Sequence, residues 1–364
     1  MTLISDITAL IQQYAPLCYQ ESFDNAGVHT GDVNAECTGV VTCLDVTEAI
    51  VDEAIANDCN LIVSHHPALF HALKSITGKT LTERILLKAI KHDIVLYAAH
   101  TNLDSTWEGV SHRLARMLGM TNVRTMLPRE GKLYKLVVMT PTAKVEQVKE
   151  AVYRSGAGKL GNYDSCSFTV EGDGEFRALD GANPFVGDIG QVHHEKEQRT
   201  EFLVREKDIC GVVSAMVKAH PYEEPAYDII RLENEDNSQG LGVIGDIRPM
   251  AVDEFLGLVK TTFNVQSLRC SKGKSAEIRR VAICSGAGAS FTAKAIGMGA
   301  DAYITGDVGY HDFVSYGSDI AIADVGHYES EICTKEMFYE LIHGAFPELK
   351  TIQSQSEINP ITYL

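Results

Sequence analysis

The chain is short of positive charge. Its 364 residues hold 32 Lys and Arg against 49 Asp and Glu, a formal net charge of −17, and no Lys or Arg occurs before Lys74. Such a surface repels a phosphate backbone, so direct nucleic-acid binding is not expected. It is compatible with gathering metal cations, and equally with a merely soluble exterior. Spaced cysteines are missing too. Nine are scattered without a C-x-x-C motif, which argues against a disulfide framework and a thiolate zinc site and fits a reducing cytoplasm. There is no basic leader with an apolar run and no stretch of 18 apolar residues, so neither a signal peptide nor a membrane span is expected. Apolar residues are plentiful at 45%. That is enough for full cores and excludes global disorder, and the length allows two or three domains.

The stretch that organises the rest is Leu61-Ile62-Val63-Ser64-His65-His66-Pro67. A brief, β-branched run reads as a buried strand, and Pro67 stops its ladder. His65 and His66 then stand at the C-terminal end of a strand, the edge where open α/β sheets collect ligands. Where the backbone turns, two adjacent imidazoles can reach one small volume. Taken alone, the pair reads equally as two hydrogen-bonded loop histidines.

Around it the chain alternates. A helix is expected over residues 3–14. The polar loop Asp24-Asn25-Ala26-Gly27 follows, either a plain loop or one that feeds a site. Strand Val40–Leu44 leads to a helix over Glu48–Asn57 capped by Thr47, and then to the strand ending at His65. A helix over 80–92, capped by Thr80, precedes strand Asp93–Ala99, which ends in His100-Thr101-Asn102-Leu103-Asp104. Near the other end, strand Arg280–Cys284, the turn Ser285-Gly286-Ala287-Gly288, helix Ala289–Met298 and strand Asp301–Thr305 repeat that order, and Gly306-Asp307 follows. Strand Asp319–Asp324 ends in Gly326-His327-Tyr328-Glu329-Ser330-Glu331.

The fold class expected is therefore α/β: two similar lobes of an internal repeat, residues 1–127 and 238–364, forming one metal-binding core. His100 with Asp104, and His327 with Glu331, share a four-residue spacing that one helical turn brings to one face. Occurring twice, beside a His-His pair, this points to a metal site. The expected ligands are His65, His66, Asp104, His327 and Glu331, with His100 as a further ligand or a neighbour. Imidazole and carboxylate donors suit Zn, Mn, Fe or Ni. Five or six donors imply two divalent ions roughly 3.5–4 Å apart, with Glu331 bridging them and a water or hydroxide of lowered pKa between.

Residues 128–237 interrupt the repeat. Strand Leu133–Thr140, helix Ala143–Ser155, strands near 164–172 and 199–205, helix Asp208–Lys218 and strand Ala226–Leu232 give a βαβ…βαβ, ferredoxin-like order. His193-His194-Glu195 reads as a solvated loop, and His220-Pro221-Tyr222-Glu223-Glu224-Pro225 as a rigid corner. Glu233–Gly240 reads as an acidic, turn-forming linker.

These motifs resemble the Nif-three-like family, the GTP cyclohydrolase I type 2 homologues. The resemblance rests on Ser64-His65-His66-Pro67, His100-Thr101-Asn102-Leu103-Asp104 and Gly326-His327-Tyr328-Glu329-Ser330-Glu331, with Asp24-Asn25-x-Gly27, Gly306-Asp307 and His311. The middle block, with Gly161-x-Tyr163 and the His220–Pro225 corner, is similar to the PII/CutA-like insert of longer bacterial members. The resemblance implies a dinuclear metal centre on the same five ligands, His100 near the metals, and a homohexamer. It also implies hydrolytic opening of a purine-like ring such as that of GTP. In that reading His100 or Glu329 moves protons, the Gly286–Gly288 turn holds a phosphate, and the partner is a nucleotide or other small molecule. The other reading is a metal-binding scaffold, carrier or regulator whose insert senses a small molecule.

Overall fold

The computed structural model describes residues 1–129 and 132–363; Glu130 and Gly131, at the start of the expected insert, and Leu364 lie outside the described residues. It is a mixed α/β structure that divides into two units. The first joins Met1–Pro128 to Asn237–Leu364, and the second is Arg129–Asp236.

The first unit holds two sheets. One runs in the order Gly27–Thr30, Val95–Ala98, Leu61–Ser64, Val40–Cys43, Thr351–Gln353. All its pairs are parallel except the antiparallel edge strand Gly27–Thr30. The three central strands are buried at every residue, as expected when helices cover both faces. Alternation sorts their side chains. Val40, Leu61, Val63, Val95 and Tyr97 pack on helices Ile4–Tyr14 and Cys333–Ala345. Val41, Cys43, Ile62 and Leu96 pack on Glu48–Ala56 and Leu81–Lys91. The hydroxyls of Thr47 and Thr80 cap these last two helices, accepting from Ile50 N and Glu83 N at 3.3 and 3.2 Å.

The second sheet runs Arg269–Cys270, Ala321–Asp324, Ala302–Thr305, Glu277–Ile283, Asp236–Ala251, Thr121–Arg129. Its three central strands from Ala321–Asp324 to Glu277–Ile283 are parallel, and strand Arg269–Cys270 is antiparallel at the edge. Val281, Ile283, Ile304 and Ala323 face helix Val252–Thr262, while Ala282, Tyr303 and Ile322 face Ala295 of helix Thr292–Gly297. Each buried Val, Ile or Leu contributes about 1.5–3 kcal/mol. In both sheets the parallel strands end at a polar loop, and those loops build the site.

The second unit has one antiparallel sheet in the order Ser167–Arg177, Val192–Arg205, Leu133–Pro141, Tyr227–Leu232. Helices Val145–Arg154 and Ile209–Ala219 pack on it through Val148, Val152, Val212 and Met216, against Leu136, Val138, Phe202 and Val204. Two expectations fail. His193-His194-Glu195 is not a solvated loop but part of the fourteen-residue strand Val192–Arg205, paired with Phe176, Glu175 and Gly174. Asp236–Gly240 is not a linker but the start of strand Asp236–Ala251.

Candidate metal centre

Three strand ends in the first unit supply the site. Beyond Leu61–Ser64 the chain stays tied to its neighbour for two residues, His65 N donating to Cys43 O at 3.3 Å and His66 N to Leu44 O at 2.9 Å. Beyond Val95–Ala98 it coils into the single turn Thr101–Asp104, and Asp104 N donates to His100 O at 3.1 Å. Beyond Ala321–Asp324, Gly326 at φ +91° starts the short helix His327–Glu331. Each four-residue pair is thus set by one helical turn after a strand.

Four imidazoles are anchored in the same way, through Nδ1. That of His65 donates to Ala99 O at 2.8 Å, and those of His66, His100 and His327 meet Asp45, Asp24 and Asp307 at 2.8, 2.7 and 2.7 Å. Such a bond fixes the tautomer and leaves Nε2 with a lone pair in the neutral ring, the arrangement of a metal-ligating histidine. The ring centroids of His65, His66 and His100 lie 5.2–5.6 Å apart, and His66 lies 5.2 Å from His327.

Glu331 stands between them. Its Oε2 lies 2.9 Å from Nε2 of both His66 and His327, and its Oε1 lies 3.7 Å from His65 Nε2. Asp104 Oδ2 is 3.8 Å from the same His65 atom. Neither distance is a hydrogen bond, so His65 Nε2 is fully buried without a partner. A buried, unpartnered lone pair facing two carboxylates is costly unless a cation sits there. Three groups have ligand atoms converging within 4.8 Å: His65 with His66 and His100, His66 with His327 and Glu331, and His65 with Asp104 and Glu331. These groups could hold a metal.

The electrostatics match. Burial opposes charge on His66, but the carboxylates of Asp45 and Glu331 outweigh it and hold the ring up at about 10. The Glu331 hydrogen bond lifts His327 to about 9. Burial works to raise Glu331 as well, yet its imidazole partners, His327 first, keep it well below the usual carboxylate range. Burial pushes Asp104 up. A cation on these nitrogens displaces their protons, so its affinity rises with pH.

All six residues expected as ligands or neighbours, His65, His66, His100, Asp104, His327 and Glu331, fall in the converging groups. Glu329 does not; its Oε1 accepts from Asn359 Nδ2 at 3.0 Å. Of the amides of the Gly286–Gly288 turn, expected to hold a phosphate, two are engaged within the protein: Gly286 N donates to Ser330 Oγ and Gly288 N to Thr305 Oγ1, both at 3.0 Å. Gly286 serves another end. Its φ is +61°, and a Cβ there would run into Glu331 Oε1. The sequence reading missed the anchor Asp45 and named Asp24 and Asp307 only as motif residues, without the anchoring role. Asp45 and Asp307 each lie just past the C-terminal end of a parallel strand, which is the signal that could have found them.

Known proteins share this sequence pattern and fold. A family model described as Duf34/NIF3 (NGG1p interacting factor 3) matches residues 2–360. A Halalkalibacterium halodurans protein named GTP cyclohydrolase 1 type 2 homolog is 39% identical over 366 residues, covering 98% of each chain. A Bacillus subtilis protein of the same name is 35% identical, again over 98% of each. Among solved structures, a Bacillus cereus protein related to NIF3 superposes with a TM-score of 0.87 at 33% identity, covering 100% of this chain and 99% of that one.

Proposed function

The chain belongs to the DUF34/NIF3 family, and from that premise we propose that it binds two divalent metal ions and hydrolyses a nucleotide or purine-like ring. The observation that carries this reading is Glu331, whose two oxygens address different donor sets. Oε2 faces His66 and His327, and Oε1 faces His65, which Asp104 also approaches. One carboxylate serving two triads is what a bridged pair of ions requires. Bound there, such ions supply Lewis acidity and acidify a water held at the site.

The chain's own residues do the rest. Asp24, with no exposed side-chain surface, fixes His100 through Nδ1 at 2.7 Å, so His100 offers Nε2 toward the donor cluster for moving a proton. Glu329 is the second group we assign to proton transfer; Asn359 holds it at 3.0 Å. The relatives' name makes GTP the first substrate to try. We read the two sheets of the first unit as repeated lobes, since each sets a run of parallel strands, four in the first and three in the second, beside an antiparallel edge strand. The second unit reads as ferredoxin-like and PII/CutA-like, since its βαββαβ order gives the strand order second, third, first, last. A cytoplasmic homohexamer completes the proposal.

Elemental analysis of protein purified without chelating resin is expected to find two ions per subunit. With metal restored, turnover on a panel of GTP and related nucleotides is expected, and Glu331→Ala should abolish it. Undiminished ion content and rate in that variant would falsify the reading. A non-catalytic metal-binding scaffold, carrier or regulator is the second reading, favoured by a cleft in the second unit.

A further inference from the structure

That cleft, of about 550 Å3, is lined by the ends of strands Ser167–Arg177 and Val192–Arg205, by segment 178–185 and by the corner after His220. Its volume falls within the range of small-molecule sites, about 300–1,000 Å3. Three aromatic rings line it. Tyr222 is their hub, with its centroid 5.8 Å from Phe176 at 60° and 6.4 Å from Phe185 at 53°. Rings so inclined meet edge to face, so a pair covers one ring face where parallel stacking would cover two. Five acidic side chains line the same cleft against one basic side chain, Arg177.

The site is held in place from several sides. His220 fixes the corner: its Nε2 donates to Met139 O at 2.9 Å and its Nδ1 accepts from Tyr222 N at 3.1 Å. Tyr222 Oη donates to Glu197 Oε1 at 2.8 Å. Across the strand pair, Gly174 leaves the room that the Glu197 carboxylate occupies, since a Cβ there would collide with it. Glu223 Oε2 accepts from Asn183 N at 3.0 Å, tying segment 178–185 to the corner. Among the described residues, Glu197, Glu223 and Glu224 make no ion pair. Nor do the cleft's carboxylates belong to any converging metal group, all of which lie in the first unit. Bare divalent ions need converging oxygens. Aromatic faces with unpaired carboxylates suit a different cation, one that is weakly hydrated and carries an apolar body.

We infer that this cleft binds a small organic cation, an alkylated or aryl-substituted ammonium, with its charge against Tyr222 and Glu197 and its apolar part against Phe176 and Phe185. The inference does not depend on the metal centre. Calorimetric titration of the full chain with benzyltrimethylammonium tests it, with benzyl alcohol as the neutral probe and magnesium as the bare charge. Saturable binding at one site per subunit is expected, with benzyl alcohol weaker by about tenfold or more. Tyr222→Ala and Phe176→Ala should each weaken the ammonium by about tenfold, Tyr222→Phe by less, and Glu331→Ala not at all. Circular dichroism confirms that each variant is folded. Absence of saturable binding, equal binding of benzyl alcohol, displacement by equimolar magnesium, or indifference to all three substitutions in the cleft would each overturn the inference.

Discussion

The two sheets of the first unit contribute unequally to the donor cluster. The first presents His65, His66, His100 and Asp104, and backs the imidazoles with Ala99 O, Asp45 and Asp24. The second presents His327 and Glu331 with Asp307 behind, and its remaining strand ends carry glycine. A Cβ on Gly286 would strike Glu331, and one on Gly306 would press on the backbone of Gly326 and His327. One sheet therefore supplies most of the donors, and the other supplies the carboxylate that faces both donor sets and the room for it. Similar strand orders place loops, but the residues just beyond each strand decide which task a loop performs.

The comparison can be tested from its strongest element downward. Glu331→Ala removes the one side chain that reaches both donor sets, so metal content measured by elemental analysis is expected to fall to one ion or none per subunit. Gly286→Val removes no donor, yet it should act almost as severely. It adds about 1–3 kcal/mol of backbone strain at a positive φ, besides the collision with Glu331. Unchanged metal content in that variant would mean that the second sheet's glycines do not make room for the bridge. Asp45→Asn and Asp307→Asn act one shell out, on His66 and His327 respectively. Each should weaken metal binding by about 10–100-fold in competition with a chelating dye, and a loss on one side alone would show that the two anchors are not equivalent.

The smallest effect concerns the first sheet only. Hydrogen bonds from Thr77 Oγ1 and N, then Lys79 N, hold the Glu83 carboxyl down at about 2. Because the folded value lies below the unfolded one, its stabilisation is present above the ordinary carboxylate range and fades as pH falls toward 2. Glu83→Gln should therefore lower stability at neutral pH and flatten the acid limb of the stability curve, the variant and the parent chain converging toward pH 2 in urea unfolding measured between pH 2 and 7.

The sequence exposed the parallel strands well, because they are short apolar runs bracketed by caps such as Thr47 and Thr80. It exposed the six converging donors because histidine directly after such a run is rare enough to notice. It hid the anchors, because a lone aspartate after a strand, as at Asp45 or Asp307, is ordinary until the neighbouring strand is known. It also hid the first half of strand Val192–Arg205, residues 192–198 ahead of the expected strand at 199–205, where exposed and half-buried residues alternate. Pairing with Ser167–Arg177 holds that segment, and a partner leaves no periodic apolar trace in its own stretch. Asp236–Gly240 misled for the same reason.

The contact between His66 and Glu331 joins residues 265 positions apart. During synthesis on the ribosome, the imidazoles of the leading sheet are in place long before the bridging carboxylate emerges. A nascent chain can therefore hold at most part of the donor cluster, which is completed only late in synthesis and which a premature stop codon anywhere before position 331 would leave without its central carboxylate.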